Sequence, residues 1–148
     1  MKIFFNEKVV TLKTAKSTDV FYCYQLSQRN MQEYRVKPEY KKYKEEFVPS
    51  DVKMVMYKGR RFGYIEYQEK LDGWYLWDMQ LSKILQGQGL GVKLLEYIDT
   101  DIAQQGAQRL RLYVYAKNPA ITLYERFGFK AVKKKSIKDR LLMEKLIK

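Results

Sequence analysis

The sequence predicts an α/β fold, a mixed and mostly antiparallel sheet flanked by helices, and three observations predict it. Apolar residues alternate over Val52–Tyr57, Arg61–Gln68 and Trp74–Leu81, and the connections between these runs are too short for anything but antiparallel neighbours. The period then changes, with Leu90, Leu94, Leu95, Ile98 and Ile102 recurring three and four apart. Alternation returns over Arg109–Tyr115, so a helix is inserted between strands and must pack on the sheet they form.

In chain order, residues 9–13 (VVTLK) form the first short strand. Ser17, Thr18 and Asp19 supply N-cap chemistry for a helix with Val20, Cys23, Tyr24, Ser27, Met31 and Tyr34 on one stripe. Cys23 lies on that stripe and is expected to be buried rather than reactive. A second short helix runs from Pro38 to Phe47, carries Tyr40, Tyr43 and Phe47 on one face, and is ended by Pro49-Ser50-Asp51. Lys58-Gly59-Arg60 and Leu71-Asp72-Gly73 turn the chain between the three antiparallel strands. The long helix stops at Gly106, and the next strand turns Leu110, Leu112 and Val114 one way. A short helix over Ala120–Phe127 and two closing strands, Phe129–Lys133 and Leu141–Ile147, complete the order β-α-α-β-β-β-α-β-α-β-β. No repeat or linker interrupts it, so residues 1–148 are expected to form a single domain.

Composition excludes whole classes of chemistry. The 148 residues include 29 Lys and Arg against 17 Asp and Glu, for a net charge of +12. A chain of this length buries about 70% of its unfolded surface and needs no metal or disulfide to fold. The single cysteine cannot form an internal disulfide. The absence of histidine removes Ser-His-Asp and Cys-His nucleophilic sites, histidine metal ligands and a histidine general base. No apolar run approaches the ~20 residues of a membrane span, and the start, MKIFFNEKVV, is too short and too soon charged for a signal peptide. A cytoplasmic protein with no membrane partner is therefore expected. The positive charge is densest over Arg35–Lys44 and Lys130–Arg140 and attracts anions, but no zinc-finger, RNA-recognition or leucine-zipper pattern accompanies it.

The most informative segment joins the third antiparallel strand to the long helix: Leu81-Ser-Lys-Ile-Leu-Gln86-Gly87-Gln88-Gly89-Leu90-Gly91. Three glycines at alternate positions strip the loop of side chains, and a ligand can then approach the unsatisfied amides of the helix N-terminus. The helix dipole favours an anion there, and a pyrophosphate fits. A P-loop would end in Gly-Lys-Ser/Thr, whereas this loop ends in Gly-Leu-Gly. The dinucleotide fingerprint needs G-x-G-x-x-G in a βαβ unit, and Gly87, Gly89 and Gly91 have another spacing.

Gln86 to Gly91 resembles the [Q/R]-x-x-G-x-[G/A] acetyl-CoA loop of the Gcn5-related N-acetyltransferase (GNAT) superfamily. Trp77-Asp78-Met79-Gln80-Leu81 is similar to the family's strand before the loop, and Ala120-Ile-Thr-Leu-Tyr124-Glu-Arg-Phe-Gly-Phe129 is similar to its A-I-x-L-Y-x-x-x-G-F helix. The resemblance spans roughly residues 77–129, with agreeing element order along the chain.

That resemblance implies a GNAT-like fold with splayed central strands, and acetyl-CoA as co-substrate without a metal. It implies that the backbone of Met79, Gln80 and Leu81 receives the acetyl carbonyl and pantetheine arm. It implies that Gly87, Gln88, Gly89, Leu90 and Gly91 hold the pyrophosphate with Gln86 fixing the loop. Tyr124 matches the tyrosine that protonates the departing thiolate; a phenol, with pKa of about 10, stays protonated at neutral pH. Lys117 stands where the family has its asparagine, and Asn118, one residue later, is the candidate for the pantetheine amides. Asp78, and after it Glu66, are the carboxylates suited to take the acceptor's proton. Tyr22, Tyr34, Tyr40, Tyr43 and Phe47, with Trp74 or Trp77, fall where the family walls its acceptor site, and aromatic faces suit a cationic amine.

The activity implied is direct N-acetylation of a primary amine of a small molecule or peptide, by a monomer or homodimer. Two alternatives stay open: a non-catalytic basic module bound to RNA or the ribosome, with nucleic acid the less favoured partner, and a CoA-sensing module.

Overall fold

The computed structural model describes residues 1–34, 39–132 and 139–147. Arg35, Lys37 and Lys133–Lys135 of the basic stretches lie outside the described residues, as do the expected helix start at Pro38 and strand end at Lys133. The elements are β1 (Lys2–Phe5), β2 (Lys8–Thr14), α1 (Val20–Met31), α2 (Tyr40–Glu46), β3 (Val52–Tyr57), β4 (Arg60–Lys70) and β5 (Gly73–Leu81), followed by α3 (Leu90–Gln104), β6 (Arg109–Tyr115), α4 (Ala120–Phe127), β7 (Lys130–Ala131) and β8 (Arg140–Leu146). The strands lie in one eight-stranded sheet in the order β1-β2-β3-β4-β5-β6-β8-β7. The fold is the α/β class the pattern predicts, with a parallel pair, β5–β6, in a mostly antiparallel sheet.

The chain divides into two compact units, Met1–Glu66 with Asp78–Leu90, and Tyr67–Trp77 with Gly91–Lys148. The first holds a strand that the sequence pattern misses. β1 pairs with β2 from Lys2↔Thr11 to Phe5↔Lys8, so the expected first strand is the second arm of a hairpin. Its turn places Asn6 at φ 42° and Glu7 at φ 60°, left-handed conformations for which asparagine is suited and glutamate is not. Without a glycine, the turn carries no strong sequence mark.

Within this unit α1 packs Cys23 and Leu26 on Val52 and Met54 of β3 and Tyr64 of β4, and Tyr43 and Phe47 extend the same cluster. Each buried aliphatic or aromatic side chain contributes roughly 1.5–3 kcal/mol by leaving water. The expected cap works in the reverse sense. Ser17–Asp19 is a single 3₁₀ turn, and the Asp19 carboxylate accepts the Lys16 N–H at 2.9 Å instead of capping α1. Gly63 of β4 is required by proximity: a Cβ there would lie 2.5 Å from the Gln80 carbonyl oxygen and 2.8 Å from a Leu81 methyl.

In the second unit, β6 and β8 pair from Arg109↔Leu146 to Tyr115↔Arg140. The parallel register joins Trp74 to Leu110 and Tyr75 to Arg111. The predicted stripe of α3 is fully buried at Leu94, Leu95, Ile98 and Ile102. α4 ends on Gly128 at φ 111°, a left-handed C-cap. Arg111 is buried and donates to Glu144 at 2.8 Å and to Asp72 at 3.3 Å. Among the described residues no helix is long and apolar enough to cross a membrane.

Candidate active site

The glycine loop leaves β5 through a 3₁₀ turn, Lys83–Leu85, whose Leu85 side chain is fully buried and anchors it. Gly87 (φ 73°) and Gly89 (φ 86°) adopt left-handed conformations, and a Cβ at either would meet nothing within 4 Å. These two glycines therefore serve the backbone and leave the space beside it open, as a phosphate cradle at a helix N-terminus needs. Gly91 is small for a different reason: a Cβ would lie 3.0 Å from a Leu123 methyl of α4.

Side chains at the loop fix its shape. Gln86 Nε2 donates to the Leu81 carbonyl at 2.8 Å, tying the first motif residue to the end of β5. Gln88 Nε2 donates to the Ile84 carbonyl at 2.7 Å, and Gln88 Oε1 accepts from Asn6 Nδ2 at 3.1 Å, so the β1–β2 turn braces the loop. Both motif glutamines are thus engaged in holding backbone.

Asp78, the favoured carboxylate, is half-buried and held on both oxygens. Tyr64 Oη donates to Oδ2 and Gln80 Nε2 donates to Oδ1, each at 2.7 Å. Gln80 is buried, and its Oε1 accepts from Asn30 Nδ2 at 3.1 Å; Asn30 Nδ2 also donates to the Leu81 carbonyl at 3.1 Å. Burial, and then the Asp78 charge, raise the Tyr64 pKa well above that of a free tyrosine. Tyr64 therefore stays a neutral donor. Burial raises the Tyr43 pKa as well, and the charges of Asp78 and Glu66 add to it. Glu66 is half-buried in mid-β4 and belongs to the same electrostatic neighbourhood.

Cys23 is fully buried, with its Sγ 3.8 Å from Met54 Sδ, as its place on the stripe predicts. Burial, reinforced by the charges of Asp19, Asp78 and Glu66, pushes the thiol pKa up, away from the thiolate that nucleophilic catalysis requires.

In the second unit Tyr124 is buried on α4 and packs edge-on against Phe129, with 5.8 Å between ring centroids. The Asn118 Oδ1 accepts the Ala120 N–H at 2.9 Å, so this side chain shapes the start of α4.

The aromatic residues expected to wall an acceptor site have varied surroundings. Tyr43 and Phe47 join the apolar cluster, while Tyr40 packs on Phe21 and Tyr24. Tyr22 meets the Ser82 hydroxyl at 3.5 Å, and the Arg61 guanidinium lies 4.8 Å from its ring centroid, so the chain itself supplies that ring's cation. Tyr34 follows the end of α1, its N–H bonded to the Met31 carbonyl. Trp74 packs on Tyr67, and exposed Trp77 carries Lys70 over its ring. A cavity of about 580 Å³ in the first unit is rimmed by Lys13, Lys16, Arg60 and Arg61, with Tyr22 and Met54 also among its lining residues.

The sequence pattern gives no hint of Tyr64 and Asn30, whose contacts join strands and a helix far apart in the chain.

The family described as Acetyltransferase (GNAT) domain matches residues 20–146. Among solved structures, the chain is similar to N-acetylglutamate synthase from Neisseria gonorrhoeae, solved with coenzyme A and N-acetyl-glutamate, at 14% identity and a TM-score of 0.78 over 94% of this chain. It spans only 35% of that synthase's length. It is similar to the PaiA N-acetyltransferase of Thermoplasma acidophilum, solved with coenzyme A, at 15% identity and a TM-score of 0.75, covering 93% of this chain and 98% of that one. It is also similar to the ribosomal-protein-S18-alanine N-acetyltransferase of Escherichia coli, at 24% identity and a TM-score of 0.74, covering 93% of this chain and 94% of that one. No curated protein matches the chain.

Proposed function

Because the chain belongs to the GNAT acetyltransferase family, we propose that it transfers the acetyl group of acetyl-CoA to a primary amine of a small molecule or peptide by direct attack. The observation that carries this is the loop itself. Gly87 and Gly89 hold left-handed turns beside open space at a helix N-terminus, in the segment that matches the family's acetyl-CoA motif. Acetyl-CoA supplies the thioester whose carbonyl carbon the amine attacks. The amides from Gly87 to Gly91 hold its pyrophosphate, and the backbone of Met79, Gln80 and Leu81 receives its pantetheine arm and acetyl oxygen. Backbone donors suit this task because they are already oriented when charge develops.

Asp78 receives the proton that the acceptor ammonium gives up. The lone pairs not taken by Tyr64 and Gln80 face that task, and a carboxylate offers about four. The free amine adds to the thioester, the oxyanion collapses as Tyr124 gives its proton to the departing CoA thiolate, and the second proton lost by the amine nitrogen restores the Tyr124 phenol. Cys23 takes no part. Glu66 supplements the negative charge that draws the amine. The test is a panel of amines assayed by release of free CoA thiol. Turnover of at least one amine is expected, with kcat lowered roughly 10²-fold or more by Tyr124→Phe. A folded protein that turns over none of them, or a Tyr124→Phe variant as fast as wild type, would contradict these assignments.

A further inference from the structure

Asn30 sits one residue before the end of α1, where asparagine is a poor helix former and gains nothing from its backbone. Its side chain joins two parts of the first unit. One bond from Nδ2 goes to Gln80 Oε1 and the other to the Leu81 carbonyl, both at 3.1 Å. From Gln80 the chain continues to Asp78 Oδ1, and the Leu81 carbonyl is shared with Gln86 Nε2.

The polarity of this network is forced. A carboxylate only accepts, so Gln80 must turn its NH₂ to Asp78 and its oxygen to Asn30. Asn30 must then present its own NH₂, whose two hydrogens are both used. The Leu81 oxygen has two lone pairs, taken by Asn30 and Gln86. No other side chain of this size supplies two donors on one nitrogen.

We propose that Asn30 is a positioning residue that ties the Asp78 carboxylate to the acetyl-CoA loop, orienting Asp78 through Gln80 and the loop through the carbonyl shared by Asn30 and Gln86. This rests on the acetyltransferase function, since Asp78 and the Gln86 loop are parts of that site. Both Asn30 Nδ2 donors are spent on Gln80 and Leu81, so Asn30 acts through these neighbours. It acts on acceptor deprotonation and on acetyl-CoA binding through two different neighbours.

Asn30→Asp is the decisive variant, because it keeps the shape and turns two donors into acceptors facing the Gln80 and Leu81 oxygens. In the full chain, acetyl-CoA Kd by calorimetry is expected to rise about tenfold, and kcat at saturating acetyl-CoA to fall about tenfold, the scale of one lost hydrogen bond per arm. Asn30→Ala, which adds no charge, gives the same two losses at smaller size. In double-mutant cycles Asn30→Ala is non-additive with Asp78→Asn in kcat and with Gln86→Ala in Kd. In the ligand-free protein the Asn30 and Gln80 side-chain amide protons exchange slowly in ¹⁵N spectra, and those of Gln80 speed up in Asn30→Ala. Wild-type Kd and kcat in a folded Asn30→Asp, or losses that simply add in both cycles, overturn the proposal. Failure of the wild type to bind acetyl-CoA overturns the acetyltransferase function itself, a different result from the same titration.

Discussion

The Tyr64 hydroxyl donates to Asp78 Oδ2 at 2.7 Å from a fully buried ring, so β4 delivers a neutral donor to a half-buried carboxylate on β5. Asp78 is thereby oriented, with one hydrogen bond on each oxygen and lone pairs left for further donors. Tyr64→Phe leaves the ring and removes the donor. It is expected to destabilise the protein by about 1.5–3 kcal/mol, the worth of a hydrogen bond to a charged group. Urea unfolding measures this directly, and an unchanged midpoint would show that the hydroxyl does not support Asp78.

Alkaline pH should act on the same residue. Burial raises the pKa of Tyr43, Tyr64 and Tyr67 in the folded state, and neighbouring carboxylates add to this for all three. Below the ordinary phenol pKa of about 10, both folded and unfolded chains keep these protons, and their contribution is fully present. Above it the unfolded chain ionises while the folded chain cannot, so stability falls as pH rises. Tm recorded from pH 8 to 11.5 should hold and then drop, and the drop should be shallower in Tyr64→Phe.

Gly63 fixes how closely β4 approaches the C-terminal end of β5. A Cβ 2.5 Å from the Gln80 carbonyl oxygen meets backbone, which cannot step aside as a side-chain tip can. Gly63→Ala should cost about 1–3 kcal/mol, as overpacking does. Because the displaced residues are those proposed to hold the pantetheine arm, it should also weaken acetyl-CoA binding several-fold. Full affinity in Gly63→Ala would mean that the Gln80–Leu81 backbone has no part in the site.

Local signals in the sequence located most elements, and tertiary ones stayed hidden. Val52–Tyr57, Arg109–Tyr115 and Ala120–Phe127 match the expected spans residue for residue, because alternation and the Gly128 stop are marked within the segments themselves. Burial of Cys23 follows from the helical stripe for the same reason. The β1–β2 hairpin escaped because its turn uses Asn6 and Glu7 at positive φ without a glycine. The three glycines of the loop share one spacing but divide by physical role, Gly87 and Gly89 for conformation and Gly91 for Leu123. Tyr64 and Asn30 were invisible because their significance is a hydrogen bond to a residue 14 positions away in one case and 50 in the other.

The glycine cradle is the central claim, and acetyl-CoA calorimetry on wild type, Gly89→Asn and Gly89→Asp tests it most directly. Asparagine tolerates the left-handed conformation that Gly89 holds at φ 86°, and aspartate is its isostere with a charge. Binding in the micromolar range is predicted for wild type, retained within a few-fold by Gly89→Asn and lost at least tenfold further by Gly89→Asp through repulsion of the pyrophosphate. No binding by folded wild type, or equal affinity in Gly89→Asn and Gly89→Asp, would contradict the account.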